Sequence, residues 1–304
     1  MNPTIKLRGH GRRFPFAGMA GTLVLAAAFG LPQHAQAQAA YGKPELAADA
    51  VVNALATADE AAMSVVLGKS WRQLMGLEEV NVENRYAFLE KASQTRVITI
   101  TDGRAHLTVG TDPWVLPVPI VQGKDGKWRF DPVAAQEEML ERRIGANELA
   151  AMQAVLATVD AQREYAQADR NGNGIREYAQ KLISAPGKRD GLIWSEKLGD
   201  ESPLGEEFLP AKPGDGYHGY RFRILTGQGA KAPGGARNYL IGGRMVAGFA
   251  LVAWPVQYGK TGVMSFIVNS SGKVYERDLG PQTAKAVEAI KLFNPDEGWK
   301  LSAP

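Results

Sequence analysis

Hydrophobic periodicity alternates between two values in a fixed order along this chain, and that order leaves few folds open. Over residues 44–68 the spacing is helical, with Ala48, Val51, Val52 and Leu55 on one face. Thr57-Ala58-Asp59-Glu60 reads as a capping box that restarts the helix at Thr57, with Met63, Val66 and Leu67 as the next apolar face. A further helix is predicted over Asn84–Ser93, carrying Tyr86, Phe88 and Leu89. From Val97 the period becomes two. Val97–Thr101 and Ala105–Val109 flank Asp102-Gly103, a strong hairpin signal, and WVLPVPIVQ and KWRFDPV flank a second turn at Gly123-Lys124-Asp125-Gly126. Helices followed by a four-stranded antiparallel meander predict a small α+β domain over residues 43–132.

The same order then recurs. Residues 133–167 form the most helical stretch, with a break predicted at Gly145 and a second helix capped by Asn147. Leu149, Met152, Leu156 and Val159 give that helix a face to lay on a sheet. Residues 184–216, rich in Pro, Gly and charge, read as a long ordered surface loop anchored by Trp194 and Leu198. YRFRILT, NYLIGG, MVAGFALVAWPV, VMSFIVN and KVYERDL follow as strands, with Ser270-Ser271-Gly272 as a hairpin turn and a closing helix over Gln282–Phe293. The fold class is therefore α+β in two domains. The second, residues 133–304, pairs a long helix with an antiparallel sheet.

The first 39 residues have the composition of a secretory leader. Lys6, Arg8, Arg12 and Arg13 precede an apolar, small-residue run from Phe16 to Leu31, and small-x-small sites place cleavage near Ala37 or Ala39. The expected location is periplasmic or secreted, with no membrane span after cleavage. Removing the leader's four basic residues from the 35 Lys and Arg leaves 31 against 32 Asp and Glu. A near-neutral chain lacks the basic footprint of a nucleic-acid binder, so nucleic acid is not an expected partner.

Two residue types are nearly missing. There is no cysteine, which excludes disulfides, thiolate metal sites and cysteine nucleophiles. Of four histidines only His106 and His218 lie beyond the leader, so a three-histidine metal site within one chain is ruled out. His106 sits in a strand pattern, and His218 sits among aromatics and glycines. Neither G-x-S-x-G nor a P-loop occurs; the glycine-rich stretch Gly227–Gly235 lacks the GK[ST] ending.

The sharpest local signal is the run from Asp169 to Glu177. Asp169, Asn171 and Asn173 occupy loop positions 1, 3 and 5, glycine follows at 6, and Glu177 stands at 9, as in an EF-hand-type calcium loop. Calcium needs six to eight oxygens, and alternate loop residues can point inward to supply them. Position 12 is Gln180 rather than a bidentate glutamate, and only two side-chain charges remain. A helix-ending turn built on Asn and Gly fits the same residues. A second group, Lys188-Arg189-Asp190-Gly191-Leu192-Ile193-Trp194, fits either an anion or sugar site or a loop ion pair with an aromatic peg.

Several long motifs carry a family resemblance. RRIGANELAAMQAVLATVDAQREYA, DRNGNGIREYAQKLISAPGKRDGLIW, SPLG, GYHGYRFRILTGQG and GFALVAWPVQYGKTGVMSFIVNSSGKVYERDLG together resemble the bacterial family designated domain of unknown function 2950. That resemblance covers essentially the whole chain after the leader. It implies an exported protein of Gram-negative bacteria and brings no assigned activity or catalytic residue. The family's calcium-like loop is often more acidic than this one. The second domain is also similar in element order to the globular part of type IV pilins and pseudopilins, without their processing site or hydrophobic polymerising helix. The first is similar to cone-shaped folds of the nuclear-transport-factor-two type.

Three functional readings stand side by side. The first is a non-enzymatic envelope protein whose partner is another envelope protein or a cell-wall component. The second is a small-ligand binder using the first domain, with Trp114, Trp128, Tyr86 and Phe88 around a pocket or packed as its core. The third is a hydrolase of envelope polymers using carboxylates near Asp190 or Glu177.

Overall fold

Pro44, in the first turn, opens α1 (Pro44–Ala56), as its missing N–H is no loss there. The computed structural model describes residues 37–74, 82–209, 212 and 214–302; the segment predicted as a leader, apart from residues 37–39, lies outside them. Helix α2 (Glu60–Leu67) is capped by Asp59, which accepts the Ala62 N–H at 2.9 Å, and not by Thr57. Thr57 instead closes α1, its hydroxyl donating to the Asn53 carbonyl at 2.9 Å. The chain turns at Ala58, where φ is +53°, so the restart falls two residues later than the capping-box spacing predicts. Helices α3 (Trp71–Leu74) and α4 (Val82–Gln94) complete this group.

The first sheet follows the predicted hairpins. Strands β1 (Arg96–Thr101) and β2 (Arg104–Val109) pair antiparallel around Asp102 and Gly103, whose φ values of +52° and +74° suit a tight hairpin turn of the I′ kind. Strand β3 (Trp114–Val115) also pairs with β2, and β4 (Ile120–Gln122) links β2 to β5 (Trp128–Phe130). Leu107, Val109, Ile120 and Phe130 from this sheet meet Val51, Leu67, Trp71 and Phe88 from the helices in one buried cluster.

One helix then runs unbroken, α5 (Pro132–Tyr165). Gly145 does not interrupt it, and Asn147 is a mid-helix residue rather than a cap. Three bonds just past the glycine hold the helix in register. The Asn147 amide donates to the Thr261 carbonyl at 2.9 Å, and Glu148 accepts the Val263 and Met264 N–H groups at 2.8 and 3.0 Å. These contacts override the local cost of an internal glycine. Ala135 of α5 belongs to the first core, and Ala151, Val155 and Val159 belong to a second. Residues 136–150 between them contribute no buried side chain.

The second core is built on β6 (Tyr220–Leu225), β11 (Ala250–Pro255), β12 (Met264–Asn269), β13 (Tyr275–Asp278) and β14 (Lys300–Leu301). They form an all-antiparallel sheet in the order β14-β13-β12-β11-β6, with β6 at one end. The short pairs β7 (Gly227–Gln228) with β8 (Arg237–Asn238), and β9 (Leu240–Ile241) with β10 (Arg244–Met245), lie between β6 and β11 in sequence. Helix α6 (Thr283–Ala289) stops short of the predicted Phe293. The Arg223 guanidinium donates to the Val287 and Ile290 carbonyls at 2.7 Å each, and Phe293 is drawn into backbone bonds with Gly227 and Gly229.

The segment 166–219 is more than a surface loop. Leu192, Ile193, Trp194 and Leu204 pack on Ala161 and Tyr165 of α5 as a third buried cluster, with Leu198 at its margin. Trp194 donates its indole N–H to the Asp200 carbonyl at 3.1 Å, which suits an aromatic ring with one polar edge. The architecture is α+β, and no helix among the described residues is long and apolar enough to cross a membrane.

Candidate functional site

The calcium-like loop brings its four predicted residues together through hydrogen bonds among themselves. Gly172 and Gly174, with φ of +65° and +80°, let the backbone fold back so that Asp169 accepts the N–H groups of Asn173 at 3.0 Å and Gly174 at 2.7 Å. Those N–H groups, Gly174 first, hold the Asp169 carboxyl below its ordinary range. Glu177 is 6 % exposed, and its Oε1 accepts the amide N–H groups of Asn171 at 3.0 Å and Asn173 at 2.7 Å. Both carboxylates are thus engaged by N–H donors. Among the described residues, no group of three or more His, Asp or Glu is arranged to hold a metal ion. An oxygen cage here would need both asparagine amides turned over to present Oδ1 in place of Nδ2.

The 188–194 group resolves into separate structural pairs. Arg189 grips Asp200 with Nε at 2.8 Å and Nη2 at 2.6 Å. Asp190 accepts Lys181 at 2.5 Å and the Ala185 N–H at 2.8 Å, and the lysine is the larger cause of its lowered pKa. The Arg170 guanidinium stacks over Trp194 with 5.5 Å to the ring centroid. Tyr165 donates to the Arg189 carbonyl at 2.7 Å, and burial, helped by Glu177 and Asp190, pushes its phenol up to about 12. These contacts join the loop, the cluster around Trp194 and the end of α5 into one polar seam.

The aromatic residues of the first half do not converge. Tyr86 is 62 % exposed, Trp114 touches Phe88 edge-on at 5.7 Å, and Phe88 and Trp128 belong to the first core. His106 is a strand residue opposite Thr99, and His218 holds φ of +45° in the turn before β6, edge-on to Tyr217.

A concave surface lies instead beside β6. It is a cleft of about 310 Å³ between three walls. Ala154 and Thr158 of α5 form the first, and Tyr220 and Phe222 of the sheet form the second, with Arg221 and its cross-strand partner Trp254 at the margin. The third comes from the 182–217 segment: Leu182, Ile183, Ile193 and Leu204, with Phe208 stacked on Tyr217 at 4.8 Å. Its two buried hydroxyls are already engaged, Thr158 with the Ala154 carbonyl and Tyr220 with the Met264 carbonyl, at 2.8 Å each. Burial pushes the Tyr220 phenol up. Arg221 is the single charged side chain among the described residues of the lining; it is exposed and donates to the Gly214 carbonyl at 3.3 Å.

Such a surface can take an apolar group and set one cation beside it. Among the described residues, its lining carries no carboxylate, histidine or free hydroxyl pair for proton transfer. The sequence signal for it was the aromatic run GYHGYRF, whose alternation along β6 turns Phe222 and Arg221 to opposite faces. Its other walls come from residues as far apart as Ala154 and Trp254, which no local pattern connects.

No curated protein and no solved structure matches the chain, so the pilin-like and cone-like likenesses rest on element order alone. A family pattern, by contrast, matches most of the chain. The chain belongs to the family described as Protein of unknown function (DUF2950), which matches residues 38–301.

Proposed function

We propose that this chain is an exported envelope protein that acts by binding, and that its binding site is the apolar cleft beside β6. The observation that carries the reading is the chemistry of that lining: aromatic and aliphatic walls, the Thr158 and Tyr220 hydroxyls already bonded, and the exposed Arg221 cation at the rim. The two carboxylates considered for hydrolysis favour the same view. Glu177 is held by two asparagine amides and Asp190 by Lys181 and a backbone N–H, so each has a structural partner. The leader composition supports export to the periplasm or beyond. The partner class is another envelope protein or a cell-wall component. The 169–177 loop has a structural part in this reading, its two carboxylates being held by N–H donors.

In-cell photocrosslinking tests this. A benzophenone amino acid at Phe208, in the cleft, should capture a reproducible adduct that the same group at exposed Tyr86 does not. Equal labelling from both positions, or none from Phe208 across growth conditions, overturns the assignment.

A further inference from the structure

The cleft adjoins a second feature that selects among occupants. Strand β6 ends its sheet and pairs on one side with β11 alone. Antiparallel pairing turns successive residues to opposite sides, and here the sides are fixed by two contacts. Gly219 accepts the Val256 N–H at 2.8 Å on the β11 side, and Tyr220 exchanges two 2.9 Å bonds with Tyr217 on the other. The backbone N–H and C=O groups of Phe222 and Ile224 therefore point away from β11, and no described residue pairs with them. Tyr217 bounds this open stretch at one end. At the other, the Tyr239 N–H bonds the Thr226 carbonyl at 2.9 Å.

Two donors and two acceptors in a row are the template to which an extended chain adds as a strand. Phe222 and Tyr217 line the cleft as well as flanking the edge, so the same segment can seat a side chain between Ile183, Phe208 and Phe222. Arg221 supplies the charge term. It has no carboxylate partner among the described residues, and a carboxylate beside it would gain a charge-assisted bond.

We infer that the occupant of the cleft is a short extended segment of a partner protein, paired with the outer edge of β6 at Phe222 and Ile224. It places one large apolar side chain in the cleft and one carboxylate beside Arg221. The inference rests on the proposed binding role of the cleft and narrows it to one kind of ligand: a polypeptide strand rather than a glycan or a lipid.

Amide hydrogen exchange on the free protein comes first. The Phe222 and Ile224 amides should exchange much faster than those of Arg221 and Arg223; equal protection of all four overturns the open edge. A random seven-residue peptide library displayed on phage is then selected against the mature chain. The expected sequences carry a large apolar residue near an aspartate or glutamate, and a chosen peptide should protect Phe222 and Ile224. Arg221→Glu should weaken it about tenfold. Ile224→Pro removes the outward N–H and should abolish binding, while Ile224→Ala, which keeps it, should bind far better. Should the proline variant fail to fold, the exchange and Arg221→Glu arms still decide. A library that yields no enriched sequence, or peptides indifferent to both substitutions, contradicts the strand. A Phe208 crosslink that survives all these substitutions would leave the cleft a binding site and remove only the strand.

Discussion

The side chain of Gln162 closes a pair of hydrogen bonds with the backbone of Ala179, donating to its carbonyl at 2.8 Å and accepting its N–H at 2.9 Å. Both residues are buried. A side-chain amide from α5 thus does what a neighbouring strand would do, and it fixes the chain where it leaves the 169–177 loop. Gln162→Leu keeps the volume but strands a buried N–H and a buried C=O. The expected loss is about 3 kcal/mol, since each unsatisfied group costs about 1–3 kcal/mol. Urea unfolding checks it; a loss below about 1 kcal/mol would mean that solvent reaches Ala179.

Gly145 offers the opposite case. It lies inside α5 with an ordinary helical φ, and a Cβ built on it meets nothing within 4 Å. Gly145→Ala should stabilise the protein by about 0.5–1 kcal/mol, through the smaller entropy of the unfolded chain. The denaturant midpoint should rise with no change of slope.

The Asn173 amide donates to the buried Glu177 carboxylate at 2.7 Å. Asn173→Asp removes that donor and sets two carboxylates against each other. In chelator at neutral pH the variant should melt below the parent. Calcium should restore it, by about 2.7 kcal/mol at a concentration 100 times the dissociation constant. The parent should show no calcium-dependent shift in melting temperature, because both carboxylates already hold N–H donors. A clear shift in the parent would restore calcium as the ligand of this loop.

Stability should fall at alkaline pH. The Tyr165 phenol is pushed up to about 12 by burial, from an unfolded value near 10. Between those values the folded state holds a proton that the unfolded state has lost, so stability is complete below pH 10 and declines through pH 12. The size is about 2–3 kcal/mol. Tyr220 and Tyr239, also raised chiefly by burial, add to the same limb. Melting temperatures measured from pH 9 to 11.5, with ultraviolet absorbance following the phenols, check the slope. At the other extreme, Asp169 and Asp190 are held low, so the stability they confer is present above pH 4 and lost as pH falls below it.

Where pattern and packing agree, the chain announces its structure. Asp102-Gly103 fixes a hairpin whose two residues both need positive φ, and the nearly unbroken apolar runs of β11 and β12 mark strands buried in the second core. Where a distant partner decides, local pattern misleads. Thr57 has capping-box spacing, yet the turn at Ala58 gives the cap to Asp59. Gly145 looks like a break, yet Asn147 and Glu148 are tied to residues more than a hundred positions away. The short strand β14 has too few residues for any periodicity and exists only because β13 offers an edge. The calcium-like loop was legible as a set of four converging residues, but not the direction of their donors. The cleft was not legible, because its walls assemble from a helix, a sheet edge and an irregular segment.

A partner seated in the cleft beside β6 should be sensitive to charge placed in the cleft wall. Calorimetry on the partner recovered by the Phe208 crosslink, comparing the parent chain with Ile183→Glu, tests it most directly. Ile183 is 54 % exposed, so the substitution should cost the fold little, while a charge set in the apolar wall should be costly to a bound group. Affinity should fall about tenfold or more with an unchanged melting temperature. An affinity equal to that of the parent would place the partner elsewhere on the protein.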